Sequence, residues 1–137
     1  MVTVSYSYAV PYVEIGGVAA PALQVRIQAP GGQDAIDMDA YVDSGASESL
    51  FDGSVLRVIG LDLLTGPVKR YQSTFDTVME ARLHRVRVSH DQLGSFDLEV
   101  GFSTAPIRRN LLGRDFFNLV QIGFRERQLS LLVEPSP

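Results

Sequence analysis

The stretch Ile36-Asp37-Met38-Asp39-Ala40-Tyr41-Val42-Asp43-Ser44-Gly45-Ala46 decides how this chain folds. From Ile36 to Val42 its residues alternate, the period-two signature of a strand with one buried face. Ile36, Met38, Ala40 and Val42 share the inner face; Asp37, Asp39, Tyr41 and Asp43 share the other. The strand runs directly into Asp43-Ser44-Gly45-Ala46, a carboxylate followed by a hydroxyl, a glycine and a small apolar residue. That order suits a tight, partly buried loop anchored upstream by Ala40 and Val42. Gly45 lets a backbone or a ligand approach closely, and the Ser44 hydroxyl can bond neighbouring backbone and fix the loop. Taken alone, Asp-Ser-Gly in a β protein is an ordinary turn.

Alternation continues on both sides. Leu23, Val25 and Ile27 oppose Gln24, Arg26 and Gln28, and Pro30-Gly31-Gly32 turns the chain towards Ile36. Thr3 to Tyr8 and Val10 to Ile15 also read as extended runs, the second ended by Gly16-Gly17. Downstream, Val68 to Tyr71, His84 to His90, Phe96 to Phe102, Val120 to Phe124 and Leu129 to Val133 carry the same signature. Helical turns are predicted only at Ser54 to Ile59, closed by Gly60, and within Leu111 to Asn118. The fold class expected is mostly β, built from many short strands.

Composition narrows the functions. The chain has 137 residues, which fits a single domain over 1–137. Apolar residues make up 45%, enough for a real core and too many for a disordered chain. A net charge of −4 argues against sequence-independent nucleic-acid binding, which needs a cationic footprint. No cysteine is present, so thiol catalysis and cysteine-ligated metal sites are ruled out. That composition suits a reducing cytosol, and a cytoplasmic location is expected. No run approaches the ~20 apolar residues of a membrane span, and no basic residue precedes Arg26 as a signal peptide would require.

A second motif lies near the C-terminus: Leu111-Leu112-Gly113-Arg114-Asp115-Phe116. Together with Tyr41-Val42-Asp43-Ser44-Gly45-Ala46, in that order, it resembles the retropepsin-like aspartic proteases, single-domain relatives of pepsin. The resemblance covers roughly Leu23 to Val133. It implies an acid-protease half-barrel with one Asp-Ser-Gly loop per chain and a short C-terminal helix. It further implies that Asp43 is the catalytic carboxylate and that Ser44 forms an inter-subunit hydrogen-bond grip. Gly45 would present its carbonyl to substrate, and Ala46 would keep the loop compact. Leu111 and Leu112 would cross the core, with Gly113 behind the loop. Arg114 would pair with a carboxylate after the loop; here Glu48 is the candidate, or the pairing is absent.

Amide hydrolysis by carboxylates needs two of them around one water. Only one Asp-Ser/Thr-Gly occurs in the chain, so a monomer holds half a site and a two-fold homodimer completes it. The resemblance implies that Thr3 to Tyr8 and Leu129 to Val133 interleave across that interface. It also implies a flap over the cleft, here Tyr71 to Met79, with Phe75 and Met79 as covering residues and no glycine at its tip. The partners expected are a second copy and an extended peptide or protein, with no nucleic acid and no membrane. No cofactor and no metal are called for.

Other clusters have plainer readings. Asp37, Asp39 and Asp43 converge on one strand face, as a divalent-cation site would require, but such a row is commonly a solvated face. His84 and His90 are too far apart for a local ligand pair. Arg82, Arg85 and Arg87, with Arg108-Arg109, read as solvated faces or ion-pair partners. Two functional readings follow: an aspartic endopeptidase acting as a homodimer, or an inactive dimerising or peptide-binding module on the same fold.

Overall fold

A computed structural model describes residues 1–72 and 75–135. The N-terminal part contains β1 (Tyr8–Pro11), β2 (Val13–Ile15), β3 (Val18–Ala20), β4 (Ala22–Gln28), β5 (Ala35–Val42) and β6 (Leu50–Asp52). A single helical turn α1 (Val55–Val58) and a 3₁₀ turn at Leu63–Thr65 lead into β7 (Val68–Gln72), β8 (Val78–His90) and β9 (Gly94–Ser103). The chain ends with β10 (Asn110–Leu112), α2 (Arg114–Phe117), β11 (Val120–Arg125) and β12 (Ser130–Pro135).

The main sheet has the order β4-β5-β10-β6-β9-β8-β7, and an additional β4–β8 pairing joins six of its strands into a ring. Hydrophobic alternation sets the register of the β4–β5 hairpin. Leu23 stands opposite Ala40, Val25 opposite Met38 and Ile27 opposite Ile36, so one face of both strands turns inward together. The β8–β9 hairpin does the same with Val86 opposite Leu98 and Val88 opposite Phe96. Phe51 meets Phe102 edge to face at 5.8 Å, and Phe116 meets Phe96 at 5.9 Å. Each fully buried phenylalanine contributes about 1.5–3 kcal/mol through removal of its surface from water.

Two of the strands bring the sequence motifs together. β10 lies parallel to β5, with Leu111 opposite Tyr41 and Leu112 opposite Val42. The other edge of β10 pairs with β6 at Leu50. The residues after Val42 and after Leu112 therefore leave the sheet side by side.

The chain ends form a three-stranded sheet in the order β1-β12-β11. Two sequence expectations change here. Within the single chain, only Tyr8 of the run Thr3 to Tyr8 lies in a strand, where it pairs with Val133 of β12. Leu129 adopts a left-handed conformation (φ 49°) after the 3₁₀ turn Glu126–Gln128, so the last strand starts at Ser130. This strand is central in its sheet, and β1 and β11 form the edges. The run Val10 to Ile15 is also divided: Pro11 ends β1, and β2 pairs with β3 across Gly16-Gly17. Among the described residues no helix is long and apolar enough to cross a membrane.

Candidate active site

Asp43 follows directly on β5, and its surroundings are built by the end of β10. Its N–H donates to the Leu112 carbonyl at 3.0 Å, continuing the β5–β10 ladder one step past the strand. Its carbonyl accepts from Ala46 N at 3.2 Å, and Oδ1 accepts from Gly45 N at 2.8 Å. The carboxylate is thus oriented by its own turn. Oδ2 receives no hydrogen bond from a described residue, and the side chain is only partly buried. Gly45 is exposed beside it; a Cβ there would sit 3.2 Å from Asp43 Oδ1. Ser44 is exposed and Ala46 is half-buried.

Gly113 packs against the back of this turn. A Cβ at Gly113 would stand 2.7 Å from both C and O of Glu48 and 2.8 Å from the Ala46 carbonyl oxygen. All three are backbone atoms with little freedom to yield, so only glycine lets the two segments come this close. The contact is closed by hydrogen bonds. Arg114 N donates to Ala46 O at 2.8 Å, and Asp115 N donates to Ser47 O at 3.3 Å.

Two residues that the motif reading passed over complete the clamp. Asp115 accepts from Ser49 N at 3.0 Å and from Ser49 Oγ at 2.7 Å, and Ser49 Oγ in turn accepts from Gly113 N at 3.0 Å. Ser49 is 1% exposed, so these bonds are shielded from competing water. A serine six residues after Asp43 and a carboxylate two after Gly113 were visible, but nothing local in either segment shows that they meet.

Arg114 makes no ion pair among the described residues, and its side chain is exposed. Glu48 binds Lys69 of β7 at 2.7 Å, so the Arg114–Glu48 pairing is absent. Tyr71, two residues on along β7, is half-buried. Burial, and after it the Glu48 carboxylate, push the Tyr71 phenol well above its ordinary pKa.

β7 and β8 form the hairpin expected as the flap, with Gln72 opposite Val78. Asp76 takes the left-handed conformation (φ 58°) that glycine more often supplies, and its Oδ1 accepts from Gln72 Nε2 at 3.0 Å. Phe75 is 90% exposed, whereas Met79 is half-buried opposite Tyr71. Ser73 and Thr74, part of the expected tip, lie outside the described residues.

Several of the remaining candidates have structural partners. Asp37 is bound by Arg26 at 2.8 Å, and hydrogen bonding to that guanidinium holds its carboxyl below the usual range. His84 Nε2 lies 2.9 Å from the Leu63 carbonyl, and His90 Nδ1 accepts from Gln92 N. Arg82 donates to the carbonyls of Leu64 and Gly66, and Arg87 pairs with Asp97 at 3.4 Å. Among the described residues no three His, Asp or Glu gather as metal ligands.

No protein-family model and no curated protein matches the chain. A crystal structure of a retropepsin-like aspartic protease from Rickettsia conorii matches 100% of this chain and 100% of that one, with a TM-score of 0.63 and 14% sequence identity. The chain has the retropepsin-like fold.

Proposed function

We propose that the chain is an aspartic endopeptidase, a single domain that works as a symmetric homodimer on extended peptides. The observation that carries this reading is the clamp of Gly113, Ser49 and Asp115 behind a turn whose carboxylate, Asp43, has one oxygen that accepts from none of the described residues.

Two Asp43 side chains, one from each protomer, would face each other at the two-fold axis. Like charges that close cannot both ionise, so the pair holds one proton. The ionised carboxylate takes a proton from water as its oxygen attacks the scissile carbonyl carbon, and the protonated one donates to the carbonyl oxygen. Collapse of the resulting diol returns a proton to the leaving amine, breaks the C–N bond and restores the shared proton. Ser44 would brace the two loops against each other, and Gly45 would offer its carbonyl to substrate backbone. Ala46, Leu111, Leu112, Gly113 and Arg114 would hold the loop in place. The β7–β8 hairpin would cover a peptide added as a strand, with Phe75 and Met79 over it.

Exposed apolar side chains on and beside the terminal sheet support a second copy there. Val4, Tyr8, Phe124 and Leu129 are 53%, 43%, 46% and 48% exposed. The test is incubation of the purified protein with a diverse peptide library from acidic to neutral pH, with Asp43→Asn as control. Cleavage by the wild type alone is the expected result. Binding of peptides without cleavage would favour the inactive module instead.

A further inference from the structure

The strand face that ends in Asp43 carries a cation that proteolysis in general does not call for. Tyr41 sits two residues before Asp43 on that face, about 7 Å along the strand. The Arg109 guanidinium lies over the Tyr41 ring, its Cζ 4.5 Å from the centroid. Arg109 belongs to the segment between β9 and β10, and the β5–β10 register brings the end of that segment beside Tyr41. Stacking on a ring restrains a long side chain while leaving its N–H fork to bind something else.

That fork has no acceptor among the described residues. Among the described residues, the arginines in ion pairs are Arg26, Arg82 and Arg87. Arg109 and its neighbour Arg108 are exposed and pair with nothing acidic, although Asp39 lies on the same strand face as Tyr41. Other arginines, such as Arg85 and Arg114, also lack an ion pair among the described residues; Arg109 differs in that the Tyr41 ring holds its guanidinium in orientation. A guanidinium matches a carboxylate in bidentate fashion. Tyr41 and Asp43 are two residues apart on one strand face, so an anion on Arg109 would lie on the same side of the sheet as Asp43. Without a cation there, an acidic side chain would be repelled by the singly charged Asp43 pair.

We infer that Arg109, stacked on Tyr41, is a specificity-determining residue that selects peptides with Asp or Glu next to the scissile bond. The inference rests on reading Asp43 as the catalytic carboxylate. Two-fold symmetry places one such arginine on each side of that bond, and Arg108 adds to the field.

Binding and cleavage separate the two ideas. Acetylated and amidated peptides that differ only in Glu, Gln or Lys at their central positions carry no other relevant carboxylate. Their affinity for Asp43→Asn protein is measured by fluorescence anisotropy at low and high salt, and their cleavage is measured with Asp43 intact. The Glu peptide should bind about tenfold tighter than the Gln peptide at low salt, with the ratio shrinking as salt rises. Adding Arg109→Gln should bring the ratio to about one, and Tyr41→Leu should lower it while keeping the charge. Arg109 is exposed and Tyr41 half-buried, and far-UV circular dichroism checks that the variants fold. Equal binding of Glu and Gln peptides, full selectivity in Arg109→Gln, or no peptide binding at all overturns the assignment. Selective binding with no cleavage by any Asp43 protein upholds the acidic-peptide site at Arg109 and sinks both the peptidase reading and the place next to a scissile bond. Cleavage with no acidic preference does the reverse.

Discussion

Ser49 and Asp115 hold each other by two hydrogen bonds, backbone N to Oδ2 at 3.0 Å and Oγ to Oδ1 at 2.7 Å, across 66 positions of sequence. This pair ties the segment after Asp43 to the start of α2. Its Ser49 Oγ also accepts the Gly113 N–H, which lies in the interior. Ser49→Ala should therefore leave the buried Gly113 N–H without its acceptor and remove one of the two donors to Asp115 Oδ1, which keeps Phe116 N, costing about 1–3 kcal/mol. Urea unfolding should show a lower midpoint at unchanged slope. If the variant unfolds at the wild-type midpoint, the clamp does not hold the loop.

Gly113→Ala meets a harder obstacle. The added methyl would press on Glu48 and Ala46 backbone atoms at 2.7–2.8 Å, so the Asp43 turn must move away from β10. We expect a loss of roughly 3 kcal/mol. Loss of peptidase activity should exceed what the unfolded fraction explains, because the displaced turn carries Asp43. A variant with wild-type melting and rate would show that the close approach is not needed.

Asp52 should govern part of the acid sensitivity. Burial opposes its ionisation, but hydrogen bonds from Ser54 Oγ, Ser54 N and Ile107 N outweigh that and hold its pKa below the ordinary value of 3.8. A folded pKa below the unfolded one gives stability that is fully present above the unfolded value. It is lost as pH falls through the folded value. Asp52→Ala should cost about 2 kcal/mol at neutral pH. Its gap to wild type should narrow below about pH 4. A gap that stays constant to pH 2 would contradict this role.

Much of this architecture can be read from the chain, for identifiable reasons. The alternation from Ile36 to Val42 is long and strict, and its inner face has one place to go, so β5 and its turn follow directly. The Leu-Leu-Gly motif is recognisable because Gly113 answers a steric demand that no other residue meets. Thr3 to Tyr8 alternates equally well, but within the chain only Tyr8 finds a pairing edge, because alternation in a segment does not say where its partner strand lies. Ser49 and Asp115 are ordinary residues in their own segments, and only the parallel β5–β10 pairing brings them within reach. The same holds for Arg109 on Tyr41, whose stacking depends on the path of the chain between β9 and β10.

Activity should follow a bell-shaped pH profile on the acidic side of neutral. In the proposed dyad, two protonated carboxyls would leave no base at low pH, and two ionised ones would leave no acid at high pH and would repel across the axis. kcat/KM measured from about pH 3 to 9, with the dimer mass followed in parallel, should show the dimer weakening on the alkaline limb. A rate that climbs steadily through pH 8 would point to a different base.

Mixing wild-type protein with Asp43→Asn at constant total concentration, after full subunit exchange, tests most directly whether two chains share one dyad. If each active site needs an Asp43 from both protomers, only wild-type pairs cleave. Activity then falls as the square of the wild-type fraction, to about one quarter in an equal mixture. A linear fall, to about one half, would mean that each chain acts alone and would contradict the shared dyad.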